Sequence, residues 1–163
     1  MKANVSNTTD ADEHDLILTR IIDAPRERVF SAWTDPAQVA QWWGPRGTTT
    51  PICEIDLRPG GVFRTVMRSS DGTEYPNSGV YLEIVEPERL IFTDAFDVGF
   101  RPTQDPFLTA IITFEEQEGK TRLTCRARHK SKADRDKHEQ MGFQNGWDEM
   151  LERLEEHLSN AAR

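Results

Sequence analysis

Two groups of residues in this chain could do chemistry. Glu83 and Asp94 are carboxylates set among apolar and aromatic side chains, in GVYLEIV (79–85) and LIFTDAF (90–96). A carboxylate buried in such surroundings has a raised pKa and can serve as a general acid or base, or hold a donor in place. The second group is aromatic. Trp33, Trp42 and Trp43, three of the four tryptophans, fall within AWTDPAQVAQWWGPRG (32–47). The familiar catalytic signatures do not occur. No Ser, Thr or Cys is paired with a base in a recognisable pattern, and there is no glycine-rich phosphate loop. His14, His129, His138 and His157 show no i, i+4 spacing among themselves, so no metal site is expected. Cys53 and Cys125 sit in alternating apolar stretches and read as reduced core thiols. The inventory supports no catalytic residue and no cofactor.

The elements that must position these residues follow from the pattern. At 163 residues the chain has the size of one domain. Its net charge of −8 excludes a basic nucleic-acid surface and disfavours anionic membranes. No apolar run approaches the ~20 residues of a membrane span. The start, MKANVSNTTDADEHD, has no apolar signal core, so a cytoplasmic protein is expected. Residues 1–13 read as a flexible tail and 14–160 as one domain.

Leu16–Ile22 is rich in β-branched residues and reads as a strand. Asp23-Ala24-Pro25 and Thr34-Asp35-Pro36 each place a capping oxygen before a proline, predicting two short helices in succession. Gly44-Pro45 ends the second. On one helix Trp42 and Trp43 cannot face the same way, so Trp42 is expected outside, as the anchor of a symmetric homodimer. Alternating stretches separated by glycine and proline turns then predict six strands to about Arg128. The apolar stripe of Phe143, Trp147, Leu151 and Leu154 predicts one long helix over about 133–158. Within it Gly142 and Gly146 cost ~1 kcal/mol each relative to alanine. Close helix–sheet packing or room for a ligand would each account for them. The order strand, two helices, six strands, long helix is an α+β architecture with an antiparallel sheet.

The stretches RIIDAPRERVFSAWTDPAQVAQWWGP, DLRPGGVF, GVYLEIVEPERLIFT and GWDEMLERLEEHL together resemble the heat-shock-protein-90 ATPase activator homologue domain family, within the START and birch-pollen-allergen-like (SRPBCC, polyketide cyclase) superfamily. The resemblance runs from about Asp15 to Leu158. It implies a helix-grip fold: a curved seven-stranded sheet wrapped around the C-terminal helix, with a cavity between them. Trp33 and Trp43 would then close one end of the grip.

Strand faces decide what lines such a cavity. Phe63, Thr65 and Met67 form the inward set of the third strand, because the alternative buries Arg64 and Arg68. In the next two strands both faces are partly apolar. One set holds Val80, Leu82, Ile84, Ile91, Thr93 and Ala95; the other holds Tyr81, Glu83, Val85, Leu90, Phe92, Asp94 and Phe96. The second has the mix of a small-molecule pocket, apolar walls with sparse polar groups, and is assigned inward. Phe143 and Trp147 would face it from the helix. The expected function is binding of a small apolar or aromatic molecule, neutral or weakly basic given two acidic groups on the wall. Two rivals are a cyclase, lyase or hydrolase acting in the cavity, and a regulator of a chaperone ATPase.

Overall fold

The computed structural model describes residues 13–161. The expected tail, Glu13 apart, lies outside the described residues. Strand β1 (Asp15–Ile22) leads into helices α1 (Arg26–Thr34) and α2 (Pro36–Trp42). Asp35 ends the first helix and caps the second, its carboxylate accepting from the Ala37 amide at 3.1 Å. Strands β2 (Thr49–Ile55), β3 (Val62–Arg68), β4 (Glu74–Val85) and β5 (Arg89–Thr93) follow as a meander. A small hairpin, β6 (Phe96–Asp97) and β7 (Arg101–Pro102), occupies part of what reads in sequence as a loop. Strands β8 (Thr109–Gln117) and β9 (Lys120–Arg128) complete the sheet.

The sheet has seven antiparallel strands in the order β1-β9-β8-β5-β4-β3-β2. Strand β1 therefore returns to pair with β9, with Leu16 opposite Ala127 and Ile22 opposite Thr121. One face of this sheet is apolar. Leu16, Leu18 and Ile22 of β1 and Leu123, Cys125 and Ala127 of β9 are buried on it, while Ile17 and Ile21 point to solvent.

The stretch expected as one helix over about 133–158 does end in a long C-terminal helix, but it is not continuous. It is two helices, α3 (Lys132–Gln140) and α4 (Phe143–Ala161). The break is Met141-Gly142, where Gly142 adopts φ +101°, the left-handed conformation that ends helices and that glycine tolerates best. Ser131 caps α3 by accepting from the Asp134 amide. Helix α4 lies across the apolar face of the sheet and is clamped by arginines. Arg20 of β1 donates to Glu155 at 3.1 and 3.2 Å. Arg153 donates to the carbonyls of Trp43, Gly44 and Pro45 at 2.9–3.2 Å, tying the chain after α2 to the helix.

Candidate functional site

The tryptophan-rich stretch resolves into two functions because α2 stops between its adjacent tryptophans. Trp42 is the last helical residue; Trp43 has φ −66° and ψ +136°, so the chain turns extended there. Both rings thereby reach the interior. Trp42 is fully buried and its indole donates to the Ala32 carbonyl at 3.1 Å. The expected exposed Trp42 is thus corrected, and the argument for a homodimer that leaned on it falls with it. Trp33 is also buried, with its centroid 4.8 Å from Trp42 and 6.0 Å from Trp43. It belongs to the core under the two small helices and not to a cavity wall.

Trp43 carries the aromatic chain onward, packing edge-on against Phe63 at 5.3 Å, which in turn meets Phe92 at 4.9 Å. These three rings form one wall of a cavity of about 410 Å³, within the size range of small-molecule sites. Met67 extends that wall, and α4 supplies the other with Phe143, Trp147 and Met150. Gly146 lies on the same helical stripe, and a Cβ built there meets nothing within 4 Å. That glycine faces open space. Close helix–sheet packing does not explain it; room beside Phe143 and Trp147 does. Trp147 is only partly buried, because it borders the cavity instead of the packed core.

The acidic wall expected from β4 and β5 is largely absent, for two reasons. A register shift between Tyr81 and Glu83 inserts one residue into β4. Tyr81 stays inward, the alternation flips, and Ile84 packs against the core in place of Glu83. Glu83 instead pairs with Arg89 outside the cavity, and that hydrogen bond holds its carboxyl below the usual range. Strand β5 ends at Thr93, so Phe96 leaves the sheet and packs on Phe100 of the small hairpin, 6.1 Å away. Tyr81 is buried beneath Phe63, 5.5 Å below it in a stacked arrangement, behind the cavity wall and not on it. Asp94 does line the cavity, but its carboxylate is taken by the Phe107 and Leu108 amides at 2.8–3.1 Å. It closes the loop that precedes β8.

Of the eleven residues singled out, Trp43, Phe63, Met67, Phe92, Asp94, Phe143 and Trp147 come together on the cavity. Trp33, Tyr81, Glu83 and Phe96 do not. One polar residue escaped notice: His138 of α3, which lines the cavity and is 8% exposed. Burial, with a smaller contribution from nearby His129, pushes its pKa down to about 4, so the ring is neutral at pH 7. No sequence signal marks it: α3 is a polar helix, and this histidine is its one buried residue. The cysteines are chemically quiet. Burial, with Asp35 and Glu54 nearby, pushes Cys53 up to about 11, and burial pushes Cys125 higher still. Among the described residues, no group of three or more His, Cys, Asp or Glu is placed to hold a metal ion, and no helix is long and apolar enough to cross a membrane.

The fold is shared with known proteins. The family model described as Activator of Hsp90 ATPase homolog 1-like protein matches residues 23–159. The chain belongs to that family. A crystal structure of a Nitrosomonas europaea protein is 37% identical with a TM-score of 0.89, covering 92% of this chain and 97% of that one. A Mycobacterium smegmatis protein is 28% identical with a TM-score of 0.75, covering 88% and 90%. The AHSA1 protein of Silicibacter pomeroyi is 27% identical with a TM-score of 0.71, covering 90% and 99%. No curated protein matches the chain. Membership of the activator-homologue family accounts for the α+β helix-grip fold, with sheet, small helices and C-terminal helix in the order expected.

Proposed function

We propose that this activator-homologue family member is a binding module that holds one small, mainly apolar aromatic molecule between the sheet and α4. The supporting observation is the cavity of about 410 Å³ walled by Trp43, Phe63, Phe92, Phe143 and Trp147. Flat aromatic walls give large apolar contact with few rotatable bonds to immobilise, and they favour edge-to-face packing with an aromatic guest. The glycine at position 146 supports the same reading. A helix former there would stabilise α4, yet the position is left empty exactly where the guest would lie. With Glu83 outside and the Asp94 carboxylate occupied, the wall favours a neutral guest over a cation.

Native mass spectrometry of the protein purified from its own host tests this directly. A retained small molecule, released on denaturation, is the expected result. A thermal-shift panel on the stripped protein should rank neutral bicyclic aromatics above long-chain fatty acids and above aromatic cations. A protein that carries nothing and responds to no member of the panel would not be such a module.

A further inference from the structure

His138 sits at the end of a short hydrogen-bonded chain whose direction follows when both rings are neutral. The His14 carbonyl can only accept. It takes the backbone amide of His129 at 2.9 Å and the His129 Nδ1–H at 2.8 Å. In the neutral ring that leaves His129 Nε2 bare, as an acceptor. His138 Nδ1 lies 2.8 Å from that nitrogen, so it must carry a proton and donate it. The tautomer of His138 is thereby set: Nδ1 protonated, Nε2 bare. Among the described residues Nε2 has no hydrogen-bonding partner, and it is not sealed in. Among the described residues, the side-chain polar atoms both buried and unpartnered are Trp33 Nε1 and Tyr81 Oη. His138 Nε2 is therefore accessible, and the residue that carries it lines the cavity.

Three further features make this a built arrangement. The ring is wedged between Phe107, 4.5 Å away, and Phe143, 5.1 Å away, which fixes its orientation. Its support is rigid. His129 follows the last residue of β9, and Asp15, next to His14, is buried and held by Arg126 and Arg128 at 2.6–2.8 Å. The competing polar groups are engaged or peripheral: Asp94 by two amides, Thr93 by the Leu108 carbonyl and the Thr109 hydroxyl, while Asn77 and Ser78 are exposed. Thr65, buried on the far wall, is a hydroxyl that can donate as well as accept.

We propose that His138 is the residue that sets specificity in this cavity, an obligate acceptor that selects a neutral aromatic molecule bearing a donor, a phenol or aryl N–H, over the same ring without one. This rests on the binding reading above and adds the ligand's polar group and its orientation. The guest's donor points toward α3 and its ring lies between Phe92 and Trp147.

The test is calorimetric titration at pH 7 with 1-naphthol, naphthalene and 1-methoxynaphthalene. The phenol should bind about 10-fold more tightly than naphthalene, the size of one net hydrogen bond. The methyl ether, which sets acceptor against acceptor, should bind worst. His138→Phe should bring the naphthol-to-naphthalene ratio to about 1 while naphthalene still binds, which also reports an intact cavity. Thr65→Val should keep the wild-type ratio, whatever it does to the absolute affinities. If none of the three binds, the binding reading itself fails. If all three bind equally, or if the preference survives His138→Phe and vanishes in Thr65→Val, binding stands and the role of His138 is overturned. Nitrogen-15 NMR of the wild-type imidazoles is an independent check that needs no variant: a proton on His138 Nε2 would contradict the proposal.

Discussion

Helix α4 has two halves that obey different rules. From Leu151 to Leu158 its inward stripe is leucine, each 0–4% exposed, pressed into the core that Trp33 and Trp42 share. From Phe143 to Met150 the same stripe carries a glycine and a partly buried tryptophan, and it faces a cavity. The difference lies in what stands opposite. The C-terminal half meets α1 and α2 as well as the sheet, so three layers interlock. The N-terminal half faces the sheet with α3 beside it at Phe143, and the gap between them is left unfilled. One continuous amphipathic stripe therefore encodes both a core and a pocket, and side-chain size along it divides the two.

Truncations should separate the halves most sharply. Leu154→Ala removes a fully buried side chain with nothing to collapse into the space, and should cost ~2–5 kcal/mol; Trp33→Ala should cost ~3–5 kcal/mol. Trp147→Ala only enlarges an existing cavity, so its cost should fall well below the ~3–5 kcal/mol of a buried aromatic. Urea unfolding of the three variants measures this. A loss for Trp147→Ala equal to that for Trp33→Ala would abolish the distinction.

The hollow half has to be held from outside, and Asp15 does much of that. Its carboxylate is fully buried and paired with Arg126 and Arg128, while Arg135 of α3 donates to its backbone carbonyl at 3.2 Å. Burial alone would raise its pKa; the hydrogen bonds from Arg128 and Arg126 outweigh that and hold the carboxyl below its ordinary 3.8. A depressed folded-state pKa gives stability that is present above the unfolded value and lost as pH falls through the folded one. Asp15→Asn should cost about 3 kcal/mol near pH 7, the low end for breaking a buried pair. The penalty should shrink below pH 4, where the wild type loses its own advantage. Chemical unfolding at pH 7 and pH 3 tests both parts, and a penalty independent of pH would remove Asp15 from this role.

Much of this is legible in the sequence. Proline and aspartate signals predict the two small helices, alternation predicts the strands, and Phe63, Met67 and Trp43 are expected on the cavity that they line. What could not be read has specific causes. Periodicity continues through Gly142, because a left-handed residue changes the path of the chain without disturbing the apolar stripe. The inserted residue after Tyr81 reverses the parity of β4, and nothing in GVYLEIV marks it. Trp42 and Trp43 both turn inward because the helix ends between them, just before the Gly44-Pro45 stop, within the usual uncertainty of a helix terminus. His138 became visible only when α3 and β9 brought two histidines nine residues apart into contact.

The two glycines beside the cavity sharpen the comparison at a smaller scale. Gly146 has ordinary helical geometry and open space, so Gly146→Ala should stabilise the fold by up to ~1 kcal/mol while narrowing the cavity and weakening an aromatic guest. Gly142 also has open space, but its φ of +101° strains any side chain, so Gly142→Ala should destabilise by ~1–2 kcal/mol. Opposite signs from the same chemical change, four residues apart, are the expected outcome in thermal melts. Two stabilising substitutions would mean that α3 and α4 can run on as one helix.

The smallest expected effect is also informative. Glu83 was assigned to the cavity by strict alternation from Tyr81, and a carboxylate there would draw cationic guests and lose them on neutralisation. The inserted residue moves it to the other face, where Arg89 donates to it and solvent reaches it. Glu83→Gln should therefore leave the affinities of a neutral and a cationic aromatic unchanged relative to each other, whereas the same pair should respond to changes at Trp43 or Phe92. Titrating both guests against the variant reads this out. A selective loss of the cation would place Glu83 back on the wall, and the parity of β4, with the neutral character of the cavity that depends on it, would have to be revised.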